Sequence, residues 1–442
     1  MVCYQPPEDW QQWVDYLAAG LHGRSRWRLS LILLGMLFAR GRRTVTTWLR
    51  AAGISDDFAD YYYFLQPLGR KSQGLAARLF MLILMRLEVG PRVLLAVDDS
   101  PTKRYGPHVQ GAGIHHNPTP GPADQQYLYG HIWVTIALAL RHPLWHTIGL
   151  PLLGLLYVRA KDIAKIPVQP AWEFRTKLEL AVQSLRPLVE LAIAAKKAVW
   201  VVADGAYAKR PFLLPLRRMG VTVVSRLRKD AALRTLPKAS KTKTRGRPRK
   251  YGTDRIHLAR RAAHPLGWQQ LECCVYGKPV TKTIKTFLAT YPPAGGEIRV
   301  VIVKEDHGCQ FFFCTNPDAK LREIVEAFAD RAAIEQDFHD VKEVWGAGQQ
   351  QVRNIWTNVA AFNLNLWMQT LVECWAWRKP AAEICDRSDS PWDNAARRPS
   401  HADRRKALRR QILHREYSSL SLVHRCSSKI RSLYQRLLQL AA

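Results

Sequence analysis

The acids with the most telling neighbours in this sequence are Asp98 and Asp99 in "RVLLAVDDS", Asp204 in "AVWVVADGAYAKR" and Glu335 in "RAAIEQDFHDVKEVWG". The first two stretches are short apolar runs of strand type that stop at an acid. A carboxylate at the end of a buried strand cannot stay unpaired in an apolar core, so it must meet water, a cation or a metal. If the two strands are neighbours in one sheet, their acids converge at one edge, and a helix packed across that edge can add a glutamate. Three such carboxylates offer hard oxygen ligands suited to Mg²⁺ or Mn²⁺. Two ions about 3.5–4 Å apart would activate a water or a 3′-hydroxyl and stabilise the leaving oxygen in phosphodiester chemistry.

The glutamate's own stretch reads as a helix. Arg331, Glu335, His339 and Lys342 follow one another at steps of four, four and three, which stacks them along one stripe, with Ala333, Ile334, Val341 and Val344 opposite. The same pattern describes a surface helix laced with ion pairs worth about 0.2–0.5 kcal/mol each. The matching strand acids elsewhere in the chain favour the chemical reading. His339, one turn from Glu335, either touches the same DNA strand or faces solvent.

Composition points to the partner. The chain has 442 residues, 47% of them hydrophobic, so two or more domains with real cores are expected. Lys and Arg number 66 against 36 Asp and Glu, a formal net charge of +30, which implies a polyanionic partner, above all nucleic acid. The longest apolar run, "LSLILLGMLFA", is shorter than the ~20 residues that span a bilayer, so no membrane partner is expected. The N-terminus lacks a basic region followed by an apolar stretch, so no signal peptide is expected. The eight cysteines are scattered without CxxC spacing. The expected setting is a reducing cytoplasm, with the protein on the nucleoid when bound.

The elements that must position the acids follow in order. Residues 1–88 read as helical, and Thr44 to Ala52 forms a short amphipathic helix behind Arg42 and Arg43, compatible with a DNA-binding helix-turn-helix. From Pro91 the pattern is three strands, a helix over about 171–197, a strand, a helix and a strand, which makes an α/β core with a mixed sheet. Residues 226–251 hold eleven Lys or Arg against one Asp and have little capacity to form a core. Their "RGRPRK" (Arg245, Arg247, Arg249 and Lys250) resembles an AT-hook, an extended segment for the narrow minor groove of A·T-rich DNA; the equal alternative is a basic linker that touches phosphates. A small β-rich insertion follows over 268–315, then a helix for which Asn316 is the expected N-cap and Pro317 the first residue. After a break near Asp330 comes the Glu335 helix, ending before Gly346, and a long helix from about Thr357 to Arg378. The tail begins with a Pro/Asp/Ser-rich linker and carries ten Lys or Arg against one Glu between 404 and 436, a solvated basic helix or a DNA-contacting one.

Together these features resemble the DDE transposases of bacterial insertion sequences, specifically families 4 and 701, with an RNase H-like catalytic core. The signature around the family's glutamate, Y-(2)-R-(3)-E-(6)-K, stands here as Phe328-x2-Arg331-x3-Glu335-x6-Lys342, with Phe for Tyr. "DDSPTKRYG" at 98–106, "GAGIHHN" at 111–117, "YGHIWVT" at 129–135, "ADGAY" at 203–207 and "IEQDF" at 334–338 are similar to family motifs, and the resemblance covers about residues 30–375.

The resemblance implies an α/β fold with an RNase H-like mixed-sheet core interrupted by the β-rich insertion, between a helical N-terminal region and a basic helical C-terminal one. The expected divisions are 1–88 for DNA binding, 89–226 and 316–378 for the core, 227–315 for linker and insertion, and 379–442 for the tail. It implies Asp98 rather than Asp99, with Asp204 and Glu335, as catalytic and metal-binding residues for two Mg²⁺ or Mn²⁺ ions. Only one of the adjacent pair can serve, because pleating sends neighbours to opposite faces. Arg331 and Lys342 would bind DNA phosphates, the first by a fork and the second as a point charge. Trp268 of the insertion is either a base-stacking aromatic or a core one, whereas the adjacent His115 and His116 read as loop or DNA-contact residues. The expected activity is cut-and-paste transposition: binding the terminal inverted repeats of an element in double-stranded DNA, cleaving its ends, and joining the 3′-hydroxyls to target DNA, as a homodimer in the synaptic complex. A non-catalytic DNA-binding regulator and an RNase H-like nuclease are the alternatives.

Overall fold

In the computed structural model, which describes residues 4–117, 125–167, 172–237, 249–387, 392–394 and 396–419, the chain opens with five helices. These are α1 (Glu8–Ala18), α2 (Trp27–Phe38), α3 (Val45–Ala51), α4 (Phe58–Arg70) and α5 (Ser72–Arg86). Periodicity explains α1, which buries Trp10, Trp13, Val14 and Leu17 on one stripe. Capping explains the start of α3, where the Thr44 hydroxyl accepts the Thr47 N–H at 3.1 Å. Close crossings join these helices to the rest. A Cβ on Gly35 of α2 would lie 2.0 Å from the Trp48 carbonyl oxygen of α3, so only glycine allows that approach.

The sheet begins with β1 (Arg92–Lys103), β2 (Gly113–His116), β3 (Tyr127–His142) and β4 (His146–Tyr157). After α6 (Ala160–Ile163) and α7 (Lys177–Ala194) come β5 (Ala198–Ala203), α8 (Arg210–Arg218) and β6 (Thr222–Arg226). The core order is β4-β3-β1-β5-β6, with β3 antiparallel to β1 and β4, and β5 and β6 parallel to β1. Parallel neighbours need crossovers, and α7 and α8 supply them. This is an RNase H-like arrangement, with two long antiparallel hairpin strands, β3 and β4, beside the three parallel strands β1, β5 and β6. One detail differs from the sequence expectation: β1 does not stop at its two acids. Its pairing with β5 ends at Val97, whereas its pairing with β3 continues to Lys103, so Asp98 and Asp99 sit within the strand, where one neighbour has already ended.

The insertion comprises β7 (Leu233–Arg234), β8 (Arg255–Ile256), α9 (Leu258–Ala263), β9 (Gln269–Val275), β10 (Lys278–Tyr291), β11 (Gly296–Glu305) and β12 (Gly308–Cys314). β9 and β10 are joined at Tyr276 and Gly277, both with positive φ (51° and 76°), the twist that a two-residue hairpin turn requires. β12 pairs antiparallel with β6, so the insertion extends the core sheet at its edge.

Five helices follow among the described residues: α10 (Leu321–Asp330), α11 (Ala332–Glu343), α12 (Ile355–Ala376), α13 (Ala381–Ile384) and α14 (His401–Ser419). Asn316 does not cap α10, which starts only after Lys320; the Asn316 side chain instead accepts the Asp318 N–H at 3.0 Å in a turn that precedes the helix. The long helix α12 buries nearly every residue, and its polar ones are satisfied from the sheet: Asn363 both donates to and accepts from the Gly154 main chain at 2.9 Å. A Cβ on Gly69 of α4 would fall 2.0 Å from the Trp356 carbonyl oxygen, so the N-terminal helices rest directly on α12. The described part of the tail is not a solvated helix, because Arg404, Arg405 and Arg409 of α14 are buried. No helix among the described residues is long and apolar enough to cross a membrane.

Candidate active site

Alternation along the strands decides which acids share a face. Leu94 and Ala96 of β1 and Trp200 and Val202 of β5 belong to the apolar cluster under α10 and α11, which includes Ile324, Ala327 and Ile334. Val93, Leu95 and Val97 of β1, with Val199, Val201 and Ala203 of β5, belong to the cluster on the opposite face. Continued by one residue, this alternation puts Asp98 and Asp204 on the α11 side and Asp99 on the other. The last paired residues of the two strands are Val97 and Ala203, so Asp98 and Asp204 follow at matching positions on strands about 4.8 Å apart. The Ser225 hydroxyl donates to the Asp204 carbonyl oxygen at 3.0 Å and fixes the turn there.

Asp99 has partners of its own. The Lys177 ammonium at the start of α7 lies 2.6 Å from its carboxylate, and the Tyr207 hydroxyl donates to it at 3.3 Å. Sequence reading missed both residues. Tyr207 could have been flagged by its place three residues after Asp204, whereas Lys177 gave no local signal.

Across the sheet edge lies the break between α10 and α11, at Arg331. Its guanidinium donates to Asp98 Oδ2 at 2.8 Å and to Glu335 Oε1 at 2.5 Å, and it lies 5.5 Å from the centre of the Phe328 ring. Phe328 in turn packs on Phe312, 4.6 Å between centres. Burial raises Asp98 to about 6, and the charges of Asp99 and Asp204 push the same way; Arg331 and the Asp99 N–H, at 2.8 Å, act against them. Glu335 is more open, with 57% of its side chain exposed.

On α11, Ile334, Asp337 and Val341 are buried, and Glu335 reaches the strand acids only through Arg331, which also holds Asp98. Lys342, half-buried and lowered by that burial, lines a groove of about 970 Å³ with Arg42, Asp99, Lys103, Tyr105 and Phe338. His339 is exposed and 3.2 Å from Asp340. Arg42 is exposed, and Arg43 is half-buried with its N–H on the Gln349 side chain at 2.8 Å. Arg249 and Lys250 are exposed, while Arg245 and Arg247 lie outside the described residues. His115 and His116 sit in β2 rather than a loop, and burial holds His115 down at about 4. Trp268 is capped by the Lys285 ammonium, 4.6 Å from the ring centre, which supports the core reading of that residue.

Among the described residues no three Asp, Glu, His or Cys groups are gathered closely enough to hold one ion. Arg331 stands between two of the three candidates. The donor set nevertheless suits a hard divalent cation: Asp98, Asp204 and Glu335 are carboxylates, and burial of Asp98 opposes a negative charge that a cation would stabilise.

A family model described as DDE superfamily endonuclease matches residues 17–286, a span that includes Asp98 and Asp204 and ends before Glu335. A comparison with curated proteins gives no match. With more than half its length in that match and both aspartates side by side on an RNase H-like sheet, the chain belongs to the DDE superfamily endonuclease family.

Proposed function

We propose that this chain is the transposase of an insertion sequence, acting by cut and paste. The observation that carries the reading is the convergence of Asp98 and Asp204 on the face crossed by Arg331 and Glu335. Asp98, Asp204 and Glu335 would hold Mg²⁺ or Mn²⁺, two ions in the reading favoured here, which when bound supply water or 3′-hydroxyl activation and charge stabilisation. Arg331 forks toward an anion and already grips two carboxylates; on DNA it exchanges that grip for phosphate oxygens. Lys342, without an ion pair among the described residues, places a point charge in the adjoining groove for the next phosphate. The pairing of Asp99 with Lys177 and Tyr207 holds β1 at the residue beside Asp98.

Two DNA ends require two active sites, so a homodimer in the synaptic complex belongs to the proposal. Its substrates are the element's terminal inverted repeats and target DNA, and the basic segments at Arg42–Arg43 and Arg249–Lys250 are the proposed accessory contacts, with His339 beside the active site. The net charge of +30 supports the nucleic-acid partner.

The test is incubation of the purified protein with labelled duplex carrying the element's ends and an unlabelled target, with and without Mg²⁺. Labelled ends joined to target establish the transposase. Cleavage without joining leaves a nuclease, and binding without cleavage leaves a DNA-binding regulator.

A further inference from the structure

The groove that Lys342 lines adjoins the site at Asp99 and Ser100 of β1, carries the acid Glu343 as well, and ends at the loop between α2 and α3, where Gly41 and Arg42 line it. That loop is pinned from two sides. From α14, the Arg405 guanidinium donates to the Leu37 and Ala39 carbonyl oxygens, both at 3.1 Å. From the turn after α11, the Gln349 side chain accepts the Arg43 N–H at 2.8 Å and Gln350 donates to the Arg43 carbonyl at 3.1 Å. Three arginines ride on this loop: Arg40 and Arg42 are exposed and Arg43 is half-buried.

What faces them is more positive charge. Arg405 is 8% exposed and Arg409 is 7% exposed, one turn apart on the same side of α14. Arg405 stacks over Trp345 at 5.1 Å and Arg409 over Phe38 at 5.6 Å. Burial, then Arg43, Arg409 and Arg40, push Arg405 down to about 9; burial, then Arg40 and Arg43, push Arg409 down to about 10. Among the described residues, the buried Nε atoms of Arg43 and Arg405 have no hydrogen-bond partner. If the only task were to hold the loop carbonyls, a neutral amide would do it without this mutual repulsion. Like charges gathered in a partly buried place are a cost in the free protein that a polyanion relieves.

We propose that the 40–43 loop, backed by Arg405 and Arg409, is a seat for consecutive backbone phosphates of the DNA that leaves the carboxylate site along this groove. This deepens the reading above and rests on it. Arg40, Arg42 and Arg43 touch phosphate. Arg405 and Arg409 are positioning residues: Arg405 fixes the start of the loop, Arg409 stacks on Phe38 behind it, and both add field without reaching the ligand. The buried half of the seat comes from α14, some 360 residues further along the chain than the loop, so the C-terminal helix docks in order to complete a DNA surface.

The experiment is duplex binding by the full chain without metal, across a salt series, for wild type, Arg40→Ala/Arg43→Ala, Arg40→Lys/Arg43→Lys and Arg405→Gln. Each phosphate contact contributes about 0.9 to the slope of log K against log salt. The double alanine variant is expected to lose at least about tenfold in affinity at 0.1 M salt and to flatten the slope by about 1.8, with the lysine variant keeping the slope. Arg405→Gln is expected to flatten it in the same direction, a readout that a purely structural role would not move. Inorganic phosphate in place of DNA separates the sources: stabilisation of wild type by millimolar phosphate, lost in the alanine variant, with no effect of that variant on DNA, would assign the seat to a free anion and overturn the proposal. A double alanine variant with wild-type circular dichroism, affinity and slope would overturn it too. Because no cleavage is read, failure of the transposase reading leaves this result interpretable, and the reverse also holds.

Discussion

Asp98 and Asp204 occupy equivalent positions on two parallel neighbours, each one residue beyond the last pair, Val97 and Ala203. That relationship makes one site from residues more than a hundred positions apart. It also separates Asp98 from Asp99, which points the other way to Lys177 and Tyr207.

The two adjacent acids are therefore expected to respond differently. Asp98→Asn should lower DNA cleavage on the order of a thousandfold, the scale of losing a charged group at a reacting centre. Asp99→Asn should keep cleavage within about tenfold and weaken folding by about 1 kcal/mol, since its pair with Lys177 is partly open to solvent. Rates and urea melts of both variants check this.

Asp98 also gives a pH signature. Its value in the folded chain is raised to about 6 from 3.8 by burial, so between those values the folded state binds more protons than the unfolded one. Stability contributed at this position therefore falls as pH rises through that window and stays low above it. Asp98→Asn is expected to be more stable than wild type at pH 7 by up to about 2–3 kcal/mol, with the gap closing below about pH 4. Denaturation at the two pH values measures it.

The docking of α14 depends on a buried chain of polar groups. Trp345 Nε1 donates to His401 Nε2 at 2.8 Å, which leaves the Nδ1 hydrogen for Glu373 Oε1 at 2.6 Å, and Arg404 lies 3.2 Å from the other carboxylate oxygen. Burial raises Glu373, but Arg404, His401 and Arg398 outweigh it and hold the carboxyl below its ordinary value. This contribution is complete above the ordinary carboxylate range and is lost as pH falls through the lowered folded value. Glu373→Ala is expected to cost about 3–5 kcal/mol, because it leaves the buried Arg404 without its counter-charge. Limited proteolysis of α14 and Trp fluorescence at pH 3 and 7 follow the same event.

Gly69→Ala is expected to disturb the seat of the N-terminal helices on α12, because the added methyl would meet the Trp356 carbonyl at 2.0 Å. A loss of about 1–3 kcal/mol or more in chemical denaturation is the outcome to look for.

Much of this was legible in the sequence because short-range patterns carried it. The strand runs before Asp98 and Asp204, the break at Arg331 and the stripe on α11 follow from periods of two and 3.6. What escaped depends on long-range contacts. In "DDS" the family resemblance favours Asp98, but which face each acid takes depends on the alternation of β1 against its neighbours. Asn316 looked like a cap because Asx turns and helix caps share one chemistry. The arginines of α14 read as solvated or DNA-contacting, not buried, because their partners, the α2 carbonyls and Trp345, lie far away in sequence. The hold of Arg331 on both Asp98 and Glu335 was also invisible, since it needs the sheet and helix together.

The most direct measurement is Mg²⁺-dependent cleavage and joining of labelled element ends by Asp98→Asn, Asp204→Asn and Glu335→Gln, singly and in pairs, with DNA binding measured alongside. Residues that act as one unit are strongly non-additive. If these carboxylates share one site, each single variant binds DNA yet loses nearly all activity, and the pairs are no worse than the singles. Any single variant that cleaves like wild type, or losses that multiply in the pairs, would contradict the shared site.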